Sequence, residues 1–246
     1  MGKEFEIVNE IEVGATPEQA WQAVATGEGM DAWFMGRNEI EPREGGRTRT
    51  ITPGFAEEAT VTRWDPPNWF ANRTDEAEDG TFMSFEYRID GRDKGNTSIR
   101  WIHSGVLGGD WEAEYEAMNE GDTAYFHKLG QYLTYFFGRK ATPVDVFGPE
   151  LPDREQAWKL IREGLGLPGP VAVEDKVRLT PEGIAPIEGI VEWISPSFLG
   201  VRSDDALYRF IHAFYGPVMV GHHIFRDVDQ KEEEDAWKSW MNGLVS

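Results

Sequence analysis

No cysteine occurs in the chain, which excludes disulfides, thiolate catalysis and Cys-ligated zinc. Basic residues are scarce: 24 Lys and Arg stand against 44 Asp and Glu, a formal charge of −20 over 246 residues. Non-specific nucleic-acid binding needs clustered Lys and Arg, and an anionic membrane surface repels such a chain. Long apolar runs are missing too. No stretch reaches the ~18 residues of a membrane span, and the opening MGKEFEIVNEIEV has no apolar h-region. These absences lead to the expectation of a cytoplasmic protein with no nucleic-acid or membrane partner. There is no H-E-x-x-H, G-x-x-x-x-G-K-[ST] or G-x-G-x-x-G, so zincin, P-loop and dinucleotide chemistry have no support. What remains is 40% hydrophobic and 13% aromatic, ample for packed cores in one large domain or two small ones.

The first half alternates, turns and then becomes helical. Phe5, Ile7, Ile11 and Val13 share one parity opposite Glu6, Glu10 and Glu12, the pattern of a half-buried strand. In TPEQAWQAV, Thr16 and Gln19 form a T-x-x-Q capping box and Pro17 suits a first helical turn. TGEGM is expected to end that helix and DAWFMG to make a short second helical turn. RTRTIT, EATVTRW, WFANR, MSFEYRI and TSIRWIH then read as strands between turn signals, an antiparallel meander. Asp122 can cap a long helix with Tyr125, Leu129, Tyr132, Leu133 and Phe136 on one stripe. That stripe needs a concave surface, and the meander supplies one.

Residues 141–152, rich in Pro and Gly, read as a linker between a domain at 1–140 and a second, shorter one at 153–246. DREQAWKLIREGLGL repeats TPEQAWQAVATGEGM, including E-Q-A-W. GIVEWISPSFLGVRSDD follows the order of ATVTRWDPPNWFANRTDE, two more strands follow, and DAWKSWMNGLVS closes the chain as a helix.

The segments P-E-Q-A-W, G-M-D-A-W-F, E-P-R-E-G-G-R, V-T-R-W-D-P-P-N and S-I-R-W-I-H-S-G, followed by a long helix, resemble the SRPBCC superfamily. This is the START and birch-pollen-allergen type of helix-grip fold, and the branch is that of the homologues of the activator of the heat-shock-protein-90 ATPase, in two tandem copies. The resemblance covers residues 5–138 most directly and reaches 150–246 through the repeat. It implies an α+β fold in which a curved antiparallel sheet wraps a long C-terminal helix, with an apolar cavity between them and a second, shorter copy. It does not imply a shared catalytic residue, because relatives include lipid carriers, aromatase/cyclase proteins and chaperone activators.

Strand parity places Met83, Phe85, Tyr87 and Ile89 on one face, and Thr97, Ile99, Trp101 and His103 on another, both expected to look toward the long helix. The expected lining of a cavity under 122–137 is Trp33, Phe34, Phe85, Tyr87, Trp101, His103, Tyr115, Phe126 and Tyr132. His103 is the polar group at its edge, and simple core packing is the competing account of the aromatics. His222 and His223 are adjacent and point to opposite faces, so even with His212 they make a poor metal site. No metal and no cofactor is assigned. The expected function is non-enzymatic binding of an apolar small molecule, lipid or aromatic and polyketide-like. One alternative is a polyketide cyclase or aromatase-like enzyme, with His103 and Tyr87 or Arg100 managing protons. Another is a chaperone-associated interaction module, and a homodimer contact or protein partner stays open.

Overall fold

The computed structural model describes residues 2–214 and 216–245, with the backbone alone at Lys94. The chain divides into two compact units, Met1–Lys140 and Ala141–Ser246, each with its own antiparallel sheet and helices.

In the first unit β1 (Lys3–Val13) leads to α1 (Pro17–Ala25) and α2 (Gly27–Met30). The meander follows: β2 (Arg37–Ile40), β3 (Arg47–Thr52), β4 (Phe55–Asp65), β5 (Trp69–Thr74), β6 (Phe82–Gly91) and β7 (Thr97–Leu107). α3 (Trp111–Tyr135) closes the unit. The seven strands run in the order β1-β7-β6-β5-β4-β3-β2, so β1 joins the sheet beside the last strand and every other neighbour is a hairpin partner. Local chemistry explains the start of α1. Gln19 N donates to Thr16 Oγ1 at 3.3 Å and Thr16 N donates to Gln19 Oε1 at 2.8 Å, so both halves of the box are made.

The sheet and helix form a helix-grip fold of the α+β class. α3 packs against β1 and β7, and the capping of the β3–β6 half of the concave face falls to α2 and the turn after it. That turn, Asp31–Gly36, is tied down where Asp31 Oδ1 accepts from Asn38 N at 2.6 Å and Asn38 Nδ2 at 3.2 Å. Gly36 has φ +66°, and a Cβ there would sit 2.3 Å from the carbonyl oxygen of Ile51, so no other residue fits the bend.

Several boundaries differ from the expectations. Asp122 does not cap a helix; α3 starts eleven residues earlier, with Asp110 as N-cap, and Asp122 lies buried inside it. The acidic run 110–122 is the first half of that helix, with Glu112 and Glu114 in its first turn, where the macrodipole favours them. TGEGM ends α1, with Thr26 as its C-cap, and also begins a second helix, because Thr26 Oγ1 accepts from Gly29 N at 3.0 Å and caps α2; DAWFMG, expected as that second helical turn, is turn.

The second unit contains β8 (Thr142–Glu150), α4 (Arg154–Gly164), β9 (Lys176–Leu179), β10 (Ile187–Ile194), β11 (Phe198–Arg202), β12 (Ala206–His212), β13 (Pro217–Ile224) and α5 (Gln230–Gly243). Its sheet order is β8-β13-β12-β11-β10-β9. The stretch 141–152 is therefore not a linker. Thr142–Glu150 pairs with β13 as the edge strand, and its prolines sit where an edge tolerates a missing donor. The unit repeats the order strand, helix, meander, helix. The copy extends to a defect: β4 slips register between Val61 and Arg63, and β10 slips between Val191 and Trp193. The ungapped match of ATVTRW to GIVEWI puts these two bulges at the same position, with Trp64 corresponding to Ile194.

Candidate functional site

The concave face of the first sheet is built by register. Asn72 on β5 pairs with Phe85 on β6, Phe85 pairs with His103 on β7, and His103 pairs with Ile7 on β1. One step along, Phe70, Tyr87 and Trp101 make a parallel row. Its rings stack face to face, with centroids 5.9 Å apart for Phe70–Tyr87 and 5.7 Å for Tyr87–Trp101 and planes within 10° in both pairs. Phe85 stacks on His103 at 4.2 Å.

α3 contributes the polar partner. Asp122 Oδ2 lies 2.7 Å from His103 Nδ1, in a setting where the imidazole keeps 6% and the carboxylate 12% of its side-chain exposure. A ring that gives its Nδ1 proton to Asp122 presents a lone pair at Nε2. That Nε2 is buried and has no hydrogen-bond partner among the described residues, as is true of Asn72 Oδ1. Buried polar atoms without partners are rare enough in folded proteins to call for an explanation.

Beside them lies a small cleft with a cavity volume of about 40 Å³. Thr48, Thr50, Glu57, Ala59, Asn72, Phe85 and Tyr87 supply its floor from β3 to β6, and Met30 and Phe34 close it from above. It holds about one water. Its electrostatics are set by Glu57: burial pushes that carboxyl above the usual glutamate range, and the nearby His103 pulls it partly back. Burial, and then the charge of Asp122, drives the Tyr87 hydroxyl far above an ordinary tyrosine, so it stays a neutral phenol at any physiological pH.

The raised Glu57 pKa has a stability consequence. Because the folded form takes up this proton more readily than the unfolded chain, the charged group costs stability above its folded pKa, and the cost is relieved as pH falls. Glu57→Gln is expected to raise Tm at about pH 8, with the gain closing below about pH 4, the unfolded glutamate value. A Tm difference independent of pH would show that the carboxyl is not desolvated.

The expected lining residues separate into groups. Phe34, Phe85 and Tyr87 line the cleft. Trp101 and His103 back it, and Phe126 packs against Trp101 at 5.6 Å. Trp33 is fully buried and donates from Nε1 to the Ala23 carbonyl at 2.9 Å. Tyr115 belongs to a separate cluster with Phe5, Ile7 and Leu107, and Tyr132 packs on Phe137. The cleft itself does not lie under 122–137; its lining includes no α3 residue among those described. α3 sits on β1 and β7, which shifts the free space toward β3–β6. Arg100 is exposed on the opposite face.

Sequence reasoning missed Glu57, Asn72 and Asp122. The signal for Asp122 was its place on the stripe of Tyr125, Phe126, Leu129, Tyr132 and Leu133, where a carboxylate needs a partner. Two histidines of the second unit are held by backbone: His212 Nε2 lies 2.7 Å from the Leu151 carbonyl, and Arg209 N donates to His222 Nδ1 at 3.0 Å. Among the described residues no group of three His, Asp or Glu is placed to hold a metal ion, and no helix is long and apolar enough to cross a membrane.

The second unit carries two larger grooves that the sequence did not suggest. One, of about 760 Å³, is lined by Tyr208, Arg226 and the carboxylates of 204–205, 227–233. Its arginine is already engaged, at 2.8 Å from Glu233 and 3.7 Å from Asp205. The other, of about 480 Å³, lies along α4.

A curved sheet gripping a terminal helix, with a buried His–Asp pair behind a small cleft, defines the class: a helix-grip protein with a second copy of the same α+β plan. Residues 14–134, within the first unit, match the family model described as Activator of Hsp90 ATPase homolog 1-like protein. No curated protein matches the sequence significantly. Among solved structures, the chain is similar to the Aha1 dimer from Colwellia psychrerythraea at 19% identity and TM-score 0.45, over 52% of this chain and 96% of that one. It is also similar to BexL, a di-domain ARO/CYC protein of the BE-7585A biosynthetic pathway, at 11% identity and TM-score 0.48, over 90% of this chain and 85% of that one. DynU16, from the dynemicin biosynthetic locus, matches at 14% identity and TM-score 0.45 over 97% of this chain and 95% of that one.

Proposed function

We propose that the protein binds a small aromatic molecule bearing one polar group in the cleft of its first unit, without transforming it. The observation that carries this reading is the pair of unpartnered atoms, His103 Nε2 and Asn72 Oδ1, beside a cleft walled by Phe34, Phe85 and Tyr87. A hydroxyl on a flat ring system donates to such an acceptor while the ring stacks on the aromatic wall. The space open at present, about 40 Å³, is far below the ~300 Å³ of an ordinary ligand site. Entry therefore requires Phe34 and Phe85, both half-buried, to rotate outward. A flexible lipid chain would need much more room and leave the polar atoms unanswered.

The test is titration with 2-naphthol and, separately, dodecanoate, followed by the imidazole resonances of His103 and by Tm. Naphthol is expected to shift those resonances and raise Tm, and His103→Phe to weaken binding by about tenfold, the loss of one buried hydrogen bond. Resonances unmoved by naphthol, or moved equally by dodecanoate, would overturn the reading.

A second reading rests on the same 2.7 Å contact. An imidazole oriented by a carboxylate can accept a proton at Nε2, so a cyclase-like enzyme acting on an enclosed aromatic ketone is the enzymatic counterpart. Hydrogen–deuterium exchange alpha to the carbonyl of 2-tetralone, abolished in His103→Gln with binding retained, distinguishes it from simple binding.

A further inference from the structure

We propose that the groove along α4 in the second unit is a binding site for a planar aromatic carboxylate. The site is separate from the cleft of the first unit and does not depend on its function.

The groove has a volume of about 480 Å³, within the ~300–1,000 Å³ range of small-molecule sites. Trp158, Val171, Ile194, Phe198 and Leu199 make its apolar surface. Arg154, Trp158 and Arg162 fall at successive i, i+4 positions, so they form one row on α4 with the indole in the middle. The two arginines are set about 12 Å apart along the helix axis. The indole is fixed, because Trp158 Nε1 donates to the Pro196 carbonyl at 2.8 Å, and its face is left for a ligand.

The charge pattern points to an anion. In this strongly acidic chain Arg43, Arg49, Arg63, Arg178 and Arg226 all face carboxylates. Arg154 and Arg162 have no ion-pair partner among the described residues. Glu155 shares the groove mouth and pairs with neither. A guanidinium is weakly hydrated and meets a carboxylate through two parallel hydrogen bonds. Two such groups at the ends of an apolar trough therefore select a flat apolar body with a carboxylate at its edge.

The internal repeat shows how the groove arose. In the first unit the matching indole, Trp21, is covered edge-on by Trp64 at 4.9 Å. In the second unit the residue corresponding to Trp64 is Ile194, which is itself 40% exposed. The smaller side chain leaves Trp158 partly uncovered. The position covered by an aromatic ring in one copy borders an open groove in the other.

The test uses the full chain, 2-naphthoate as probe and 2-naphthamide as its neutral counterpart. The indole N–H resonance of Trp158, assigned through Trp158→Phe, reports occupancy. Naphthoate is expected to shift that resonance, and naphthamide to bind about tenfold more weakly. Arg154→Ala/Arg162→Ala is expected to weaken naphthoate by about tenfold or more and leave naphthamide unchanged. Both positions lie on a helix surface where alanine is well tolerated, and circular dichroism checks that the variant stays folded. Equal affinity for the two probes, an unchanged Kd in the double variant, or a Trp158 resonance unmoved by naphthoate would overturn the proposal. So would a resonance that shifts on dilution together with a sedimentation change, since the groove would then be covered by a second copy of the chain.

Discussion

Trp101→Ala is expected to destabilise the first unit by about 3–5 kcal/mol, the range for removing a large aromatic side chain from a packed core. The indole is 1% exposed. It stacks on Tyr87, meets Trp33 and Phe34 edge-on at 6.2 Å each, and supports Phe126 of α3 at 5.6 Å. One ring therefore joins the sheet, the turn after α2 and the closing helix, and its neighbours cannot all collapse into the vacated volume. Against a typical total of about 5–15 kcal/mol, this loss is severe. Trp101→Phe is expected to cost much less, because it keeps the stack and removes a buried Nε1–H that has no partner among the described residues. Urea denaturation of the two variants beside the wild type checks both values. A cost below about 1 kcal/mol for alanine would mean that the ring fills no essential volume.

How much of this was legible depended on the range of the interaction. Strand parity put Phe85, Tyr87, Trp101 and His103 on one face of the sheet, and the observed pairs Tyr87–Trp101 and Phe85–His103 follow from two strands joined by a tight turn. The E-Q-A-W repeat identified α1 and α4, since capping chemistry is local: Asp153 accepts from Gln156 N at 2.8 Å, as Thr16 does from Gln19. β8 was not legible. Its Pro143, Gly148 and Pro149 carry the composition of a linker, and only a non-local partner, β13, makes it a strand. The start of α3 was obscured for a different reason: Trp111, Tyr115 and Met118 pack onto a small satellite cluster, so the first half of the helix lacks the strong stripe of the second.

The site followed the same rule. His103 was visible because alternation turned it inward. Asp122 was hidden because joining a helix to a strand across 19 residues of sequence depends on the docking angle of α3, which no periodicity encodes. Glu57 was missed by one position. The strand reads as beginning at Glu58, whereas pairing of Thr50 with Glu57 and Thr52 with Phe55 extends β4 to the hairpin tip and brings a carboxylate onto the concave face.

Whether the buried polar pair serves folding or binding is decided by removing it in two ways. Asp122→Ala is expected to cost about 2–4 kcal/mol, because the His103 ring, 5% exposed, is left with both nitrogens unpartnered and the removed carboxylate leaves a void. Asp122→Asn retains an acceptor for Nδ1–H and is expected to lose about 1 kcal/mol or less. The decisive variant is His103→Leu/Asp122→Leu. Replacing both members of a buried polar pair by apolar groups of similar size is commonly neutral or stabilising, since the desolvation cost disappears with the interaction. Leucine also fits the surroundings, with Phe5 and Phe85 on two sides of the imidazole at 5.1 and 4.2 Å. The double variant is therefore expected to unfold at or above the wild-type urea midpoint while failing to bind 2-naphthol. A chain that gains stability and loses its ligand would show that the pair is present for recognition. A double variant as unstable as Asp122→Ala would assign it to the fold instead, and the reading of the cleft as a ligand site would lose its main support.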